Sequence, residues 1–220
     1  MPVKLLALTC VMMTAALPAA ADTFLVQFGG RTLGQLNVSS DGRTTTLRST
    51  LGSTPMGVFN GAFVGTSSGN AQTARFTGET RSSRKERVVT VDITAGRATA
   101  TIIVPPQEST DLSDITRVPP GVTDPVRTFV HLLEADGCPG AVQMYDGRRL
   151  VRLTLTGERR DGMLMCNLDY RVVAGPGHLS PLRIASAKIE LSYARANAQQ
   201  ILQGVRISSG IFAITLERVN

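Results

Sequence analysis

Most of the chain alternates apolar and polar residues with a period of two, which is typical of β-strands that have one buried and one solvated face. Near the start, Phe24, Val26 and Phe28 form such a row before the Gly29-Gly30 pair. The same alternation recurs over residues 89–93, 98–104, 189–193 and 212–216. Turn signals separate the rows, so the pattern predicts a mainly β protein built from antiparallel hairpins joined in order.

The second half contains a clear hairpin signal of its own. Asp146 and Gly147 lie between two β-rich runs, residues 142–145 and 150–155. An Asp-Gly pair in that position favours a tight turn, because both residue types tolerate the backbone conformation that the turn requires. We therefore expect a second meander that contains this turn.

One segment has helical periodicity instead, from Asp124 to about Asp136. Asp124 is a suitable N-cap, Pro125 occupies the first helical position, and Gly137 is expected to end the helix. Apolar residues recur at helical spacing at Val126, Phe129, Val130 and Leu133. The pattern predicts one short amphipathic helix.

Residues 105–123, which precede this helix, contain four prolines and show little periodicity. A connection this long and irregular is typical of a functional cover or a linker. We interpret it as a crossover between the two meanders of a single β-rich domain over residues 22–220. A boundary between two domains is the alternative, but the N-terminal sheet alone would be small.

The first 21 residues have the order of a secretory signal peptide. Lys4 precedes an apolar run over residues 5–17, and Ala19, Ala20 and Ala21 follow. We expect cleavage after Ala21, so that the mature chain begins at Asp22. A retained membrane anchor is less well supported because a span needs about 20 apolar residues. Export then places the protein in the periplasm.

Two cysteines remain after this cleavage, Cys138 and Cys166, because Cys10 lies within the signal peptide. In the strand predicted around Cys166, Leu164 and Leu168 share its face, which directs the sulfur toward the core. An isolated pair in an oxidising compartment is predicted to form a disulfide. Zinc is the alternative, but no second pair and no histidine stand at ligand spacing.

The formal net charge of the whole chain is +6. The densest basic run, residues 81–87, contains Glu86 and no aromatic residue. A nucleic-acid surface has clustered charge with stacking platforms, so this run is interpreted as a solvated hairpin tip. Nucleic acid is not an expected partner, and no segment after the signal peptide is long and apolar enough to cross a membrane.

The sequence offers little catalytic chemistry. Residues 65–69 match the G-x-S-x-G pattern around Ser67, but a strand rather than a helix is predicted to follow, so Ser67 is expected in a plain loop. His131 and His178 have no acid nearby in sequence. Asp111 and Asp114 lie in the crossover, without the glycine and glutamate of a calcium loop. We predict no catalytic residue, no metal site and no cofactor.

Several short motifs follow one another over residues 123–183. They are Asp124-Pro125 with the helix, Cys138, Tyr145-Asp146-Gly147-Arg148-Arg149, Cys166 and Pro181-Leu182-Arg183. This ordered set resembles the exported Gram-negative domain-of-unknown-function 3108 family. The resemblance implies a curled antiparallel sheet, an open barrel or β-spiral, wrapped around one short helix. It transfers no catalytic residue, because the family has no established reaction.

A long sheet with one apolar face and one helix to cover it is expected to leave concave apolar surface. The sequence therefore favours a non-enzymatic periplasmic protein of cell-envelope maintenance that binds an apolar ligand, such as lipid, or an envelope protein. A purely structural scaffold is one alternative. Another is a hydrolase of envelope polymers that uses Asp111, Asp114 and Asp124.

Overall fold

The computed structural model describes residues 20–54, 60–82, 85–178 and 183–219. Residues 1–19, with most of the predicted signal peptide and Cys10, lie outside the described residues, as do Pro181 and Leu182. The described residues form thirteen β-strands, one α-helix and three short 3-10 helices. The prediction of a mainly β protein with one short helix is confirmed.

The first meander contains seven strands, each antiparallel to the next. Alternating burial along them reflects the period-two pattern of the sequence. The strands are β1 Ala20–Phe28, β2 Arg31–Ser40, β3 Thr44–Leu51, β4 Gly61–Gly69, β5 Thr73–Arg81, β6 Glu86–Thr94 and β7 Arg97–Val104.

The crossover follows β7 and contains the three 3-10 helices, Pro106–Glu108, Asp111–Ser113 and Ile115–Arg117. The single described α-helix, α1, spans Pro125–Leu133. The second meander then completes the described chain. Its strands are β8 Val142–Tyr145, β9 Leu150–Asp161, β10 Met163–Ala174, β11 Ser186–Ala196, β12 Gln199–Ser209 and β13 Phe212–Val219.

The two meanders join into one sheet through their outermost strands in sequence, β1 and β13, which pair antiparallel. The strand order is β7-β6-β5-β4-β3-β2-β1-β13-β12-β11-β10-β9-β8, so β7 and β8 are the two edges. We call the end that carries the β1–β2 turn and the Asp146-Gly147 turn the upper end. The opposite end, with the β2–β3 turn and Gly162, is the lower end.

Helix α1 lies inside the curl of the sheet at its lower end. It contacts β3 and β4 on one side and β8 and β12 on the other. These strands are far apart in the sheet order, so the sheet must wrap around the helix, as expected. The Phe129 ring packs edge-on against the Phe24 ring of β1, with centroids 6.0 Å apart.

The helix is shorter than predicted, because it ends at Leu133 with Glu134 as its C-cap rather than at Gly137. The carbonyl of Leu132 would accept from the amide of Asp136 if the helix continued. It accepts instead from the Tyr193 hydroxyl of β11, at 2.7 Å. A tertiary hydrogen bond therefore replaces the next helical one.

The crossover runs back along the β7 edge, and all three of its 3-10 helices contact that strand. At its far end, the amides of Gly121 and Val122 donate to the carbonyl of Gly96. Thr123 then pairs beside β8 through Gln143 and Tyr145. Covering an edge strand in this way protects it from pairing with another chain.

Candidate functional site

The two edges of the sheet approach each other at the upper end. The buried Tyr145 hydroxyl of β8 donates to the carbonyl of Leu112 in the crossover. Its oxygen lies 2.9 Å from the Thr101 hydroxyl of β7, which therefore donates to it. We call this contact between β7, the crossover and the β8–β9 turn the seam.

The Asp146-Gly147 turn packs into the seam. The Asp146 Oδ1 atom accepts from the amides of Arg148 and Arg149, at 3.0 and 2.9 Å. Gly147 has φ of +86°, and a Cβ atom there would lie 2.4 Å from Cγ1 of Val89 on β6. The turn needs glycine both for its backbone conformation and for its close approach to β6.

The crossover holds the same turn from the other side. The Thr110 hydroxyl donates to the carbonyl of Arg148 at 2.7 Å, and the Ser113 hydroxyl donates to the carbonyl of Gly147 at 3.0 Å. Thr110 and Ser113 also form the capping box of the second 3-10 helix. These bonds satisfy turn carbonyls that the half-buried seam would otherwise leave without donors.

A carboxylate with three cationic neighbours lies beside this turn. Glu108 Oε1 is 2.5 Å from Nζ of Lys85, and its Oε2 is 3.0 Å from NH1 of Arg87 and 3.2 Å from NH2 of Arg148. Arg148 Nε also donates to the carbonyl of Glu108 at 2.6 Å. Burial opposes the charge of Glu108, but the hydrogen bonds from Lys85 and Arg87 outweigh it and lower the pKa of the carboxyl.

A second polar group continues from the turn toward β10. Arg149 NH1 lies 2.6 Å from Nδ1 of His178, and His178 Nε2 bonds the Tyr170 hydroxyl. Arginine only donates, so Nδ1 accepts and the proton of the neutral ring lies on Nε2. Arg149 Nε is also 2.9 Å from Oδ2 of Asp146, at ion-pair distance but without hydrogen-bond alignment.

The environment of this group opposes charge on both of its titratable rings. Burial, followed by the positive charges of Arg149 and Arg87, lowers the pKa of His178 to about 3. Burial, followed by the negative charge of Asp146, raises the pKa of Tyr170. His178 is therefore neutral and Tyr170 protonated near pH 7, and a ring with so low a pKa is a weak base.

Positive charge is in excess around Glu108 and the turn. The cations there are Lys85, Arg87, Arg148 and Arg149, and the carboxylates are Glu108 and Asp146, while Asp111 and Asp114 of the crossover pair with Arg117. Burial, followed by the charge of Arg87, lowers the pKa of the Arg148 guanidinium. Arg148 nevertheless stays charged at neutral pH, as arginine does in proteins. Around Glu108 itself, three cations face one carboxylate, and of these four side chains only Lys85 is exposed.

Ser67 is not in a loop, so that prediction is wrong. It lies buried in β4, where its hydroxyl donates to Oδ2 of the fully buried Asp124 at 2.8 Å. Arg127 Nε donates to the Ser67 oxygen at 3.2 Å. The small residues around it let α1 approach, since a Cβ on Gly65 would lie 3.1 Å from Val126 Cγ2. The arrangement anchors the helix start to β4 rather than activating a nucleophile.

The remaining predicted residues are placed as follows. Asp124 is the N-cap of α1, accepting from the amide of Arg127, and Pro125 is its first residue. Asp114 caps the third 3-10 helix, Asp111 is 92% exposed beside Arg117, and His131 is exposed on α1. Within the part of the chain that the structure describes, no three acidic, histidine or cysteine side chains come together as metal ligands would.

The predicted disulfide is present between Cys138 and Cys166, whose Cα atoms are 5.4 Å apart. It fastens the segment after α1 to β10. Ala21 and Asp22 lie in β1, and the Asp22 carboxylate is 2.5 Å from NH1 of Arg218 on β13. Cleavage between them stays a prediction, and it would leave Asp22 as the first residue of the strand.

The interpretation of residues 81–87 as a solvated tip holds for Arg81, which pairs with Glu86 at the surface. It is wrong for Arg87, whose side chain is only 17% exposed and binds Glu108. The pattern contained a signal for this, because Arg87 is in phase with the buried Val89 and Val91 of β6. Period two therefore directs it to the concave face.

None of the helices in the described ranges has the length and hydropathy of a membrane span. A family model with the description "Protein of unknown function (DUF3108)" matches residues 23–162, from β1 to the end of β9 and the turn after it. The match includes Glu108 and the Asp146-Gly147 turn, whereas Cys166 and His178 lie beyond it. Comparison with curated proteins and with solved structures gives no match. Because the family model covers more than half of the chain, the protein belongs to the DUF3108 family of proteins of unknown function.

Proposed function

We propose that the protein is a non-enzymatic periplasmic protein of cell-envelope maintenance that binds an apolar ligand on the concave side of its sheet. The observation that carries the proposal is a set of half-buried, inward-facing apolar side chains at the upper end. We call this set the apolar wall, and it consists of Phe28, Leu51, Phe63, Ile207 and Ile214.

The apolar wall differs from the lower part of the same face. Phe24 and Leu216, which precede Phe28 and follow Ile214 on their strands, are 0% and 7% exposed. Helix α1 packs over the lower residues, so it occupies the part of the hollow that a ligand was expected to enter. The ligand site is therefore proposed at the upper end, because the apolar wall and the polar seam both lie at that end of the sheet and ligand sites combine apolar surface with a few polar groups.

The other elements of the proposal have separate support. A disulfide is typical of proteins exported to an oxidising compartment, which favours the periplasm. The buried groups that could serve catalysis are engaged, with Ser67 on Asp124 and both ring nitrogens of His178 bonded. Among the residues that the structure describes, no contact favours the hydrolase alternative, since Asp124 caps α1 and Asp114 caps a 3-10 helix.

Lipid analysis of the purified protein tests the proposal. The mature protein is isolated gently from the periplasm, and organic extracts are examined by mass spectrometry. We expect bound lipid, and we expect Ile214→Gln to reduce it several-fold because a buried amide without a partner opposes apolar contact. Ile211→Gln is the matched control, because Ile211 is 93% exposed in the neighbouring turn.

Circular dichroism and thermal unfolding of both variants establish that they are folded. Absence of lipid from the unmodified protein, together with failure to bind added phospholipid, would contradict the proposal. Equal lipid loss in the Ile211 and Ile214 variants would contradict the assignment of the apolar wall.

A second candidate function, binding of an envelope protein, is favoured by a different surface. Ile102 and Val104 are 60% and 54% exposed on the outer face of β7, and Val104 lies opposite Val88 in the register. Exposed apolar side chains that cluster in this way mark protein contacts. A photoreactive residue at position 102 should capture a periplasmic protein that one at position 211 does not. Capture at neither position would leave a structural scaffold as the better description of this surface.

A further inference from the structure

The cationic side chains around Glu108 have more hydrogen-bond donors than the protein supplies acceptors. Arg87 has five N–H donors, and in the described hydrogen bonds only NH1 is used, on Glu108. The two oxygens of Glu108 are already shared among Lys85, Arg87 and Arg148. One carboxylate therefore serves three cations, and donors remain that a further anion would satisfy.

The same group of residues is reachable from solvent. The Lys85 side chain is 49% exposed, while Arg87 and Arg148 are 17% and 14% exposed. Excess charge of one sign in a partly desolvated place is unfavourable unless an ion of the opposite sign pairs with it. Arginine forks match the oxygens of a phosphate in geometry as well as in charge.

We propose that Lys85, Arg87 and Arg148 form an anion-binding site for a phosphate group, with Glu108 as the internal anion that competes with the phosphate for the three side chains. The phosphate comes either from a phospholipid headgroup or from free phosphate. The headgroup source extends the proposed function and rests on it, because the apolar wall and the seam lie at the same end of the sheet. The anion site does not depend on the apolar wall, because it requires only the charged side chains around Glu108.

Titration of the mature protein with three probes tests this site. The probes are inorganic phosphate, short-chain phosphatidylglycerol and phosphatidylcholine with the same chains, at constant ionic strength and below the micellar concentration. We expect phosphatidylglycerol to bind at least about tenfold more tightly than phosphatidylcholine, since only the former has net negative charge. Raising the salt concentration should reduce this difference.

Three variants separate a binding role from a structural one. Arg87→Gln should lower affinity for the anionic probes about tenfold. Glu108→Gln should raise it by a similar factor, because it removes the competing carboxylate. Arg75→Gln is the control, since Arg75 pairs with Asp92 on the outer face and is 64% exposed. If the cluster were only structural, Glu108→Gln would lower the stability of the protein and would not raise its affinity for the anionic probes. The Glu108 variant therefore distinguishes the two roles even if Arg87→Gln does not fold.

The outcomes distinguish the two sources and the two proposals. Phosphate binding as tight as phosphatidylglycerol binding supports the site with free phosphate as its ligand, and much tighter phosphatidylglycerol binding supports it with the headgroup. Equal binding of both lipids with no phosphate binding overturns the anion site while the proposed function stands. Phosphate binding without any lipid binding supports the site and contradicts the proposed function. Unchanged affinity in the Glu108 variant overturns the site.

Discussion

The two ends of the hollow are closed by different kinds of interaction. At the lower end, α1 fills the space with apolar side chains, and the Cys138–Cys166 disulfide fastens the following segment to β10. At the upper end, the sheet edges meet through charges and hydrogen bonds around Glu108 and the Asp146-Gly147 turn. The lower end is therefore suited to stability, and the upper end retains the charge and apolar surface on which the proposed ligand site depends.

The largest expected effect contrasts two phenylalanines on the same face of β1. Phe24 is 0% exposed and packs on Phe129, whereas Phe28 is half-buried beside Phe212. Phe24→Ala should lower the free energy of unfolding by about 3–5 kcal/mol, because it leaves a cavity against α1. Phe28→Ala should lower it by about 1 kcal/mol. Urea denaturation measures both, and equal losses would break the contrast between the two ends.

The disulfide gives the next largest effect. Its cysteines are separated by 28 residues, and opening such a loop should lower the free energy of unfolding by about 2–4 kcal/mol. Denaturation with and without a reductant measures this loss. The double variant Cys138→Ser/Cys166→Ser serves as the control, because its stability should not respond to the reductant. Free thiols in protein prepared without a reductant would contradict the conclusion that a disulfide stabilises the lower end.

Two glycines at positive φ, one in a turn at each end, provide a further test of the difference between the two ends. Gly147→Ala should cost about 2–3 kcal/mol, because strain at φ of +86° is added to overlap with Val89. Gly162 has φ of +72°, and a Cβ atom there would have no neighbour within 4 Å, so Gly162→Ala should cost only about 1 kcal/mol of strain. Thermal unfolding of the two variants should therefore differ, and equal losses would mean that the turn does not pack into the seam.

The smallest effect, when it is taken over the first pH unit below 6.5, is a dependence of stability on pH. The pKa of His178 is lowered from 6.5 to about 3 by burial and by Arg149, so the unfolded chain takes up a proton at a higher pH than the folded protein. The free energy of unfolding should therefore fall as the pH drops from about 6.5 toward 3, by at most about 1.4 kcal/mol per pH unit from this group. Stability above pH 6.5 should not change through it.

The matched pair for this prediction is His178→Gln and His131→Gln. The first should flatten the fall in stability between pH 6.5 and about 4, although it is less stable at neutral pH because it loses bonds to Arg149 and Tyr170. The second is the control for the loss of a histidine at the surface, since His131 is exposed on α1. Denaturant titrations across this pH range measure both, and an unaltered profile in the His178 variant would exclude His178 as the cause.

Local pattern was sufficient for much of the fold. Period two located the hairpins, and helical spacing with Asp124 as N-cap located α1. The pairing of β1 with β13 left no local signal, because Phe28 and Ile214 meet across nearly the whole chain. The end of α1 was also out of reach, since the Tyr193 hydroxyl that replaces a helical bond comes from a distant strand. Contacts between distant segments decided both features.

The candidate site was predictable only in part. The Asp146-Gly147 turn is a local motif. The alternation of apolar and polar residues along β6 also indicated that the Arg87 side chain points inward. The sequence did not indicate that Arg87, Glu108 and Arg148 come together, because a strand, the crossover and a distant turn each supply one of them. Ser67 was misplaced for a related reason, since the pattern of small residues that suggested a loop serves close packing of α1 against β4.

Hydrogen–deuterium exchange of the mature protein, with and without short-chain phosphatidylglycerol, tests most directly the claim that the lower end is closed and the upper end receives the ligand. We predict slower exchange on ligand addition in residues 105–117 and 145–149, with no change in α1. Faster exchange in α1, with the upper-end segments unchanged, would mean that the ligand displaces the helix and would contradict that claim.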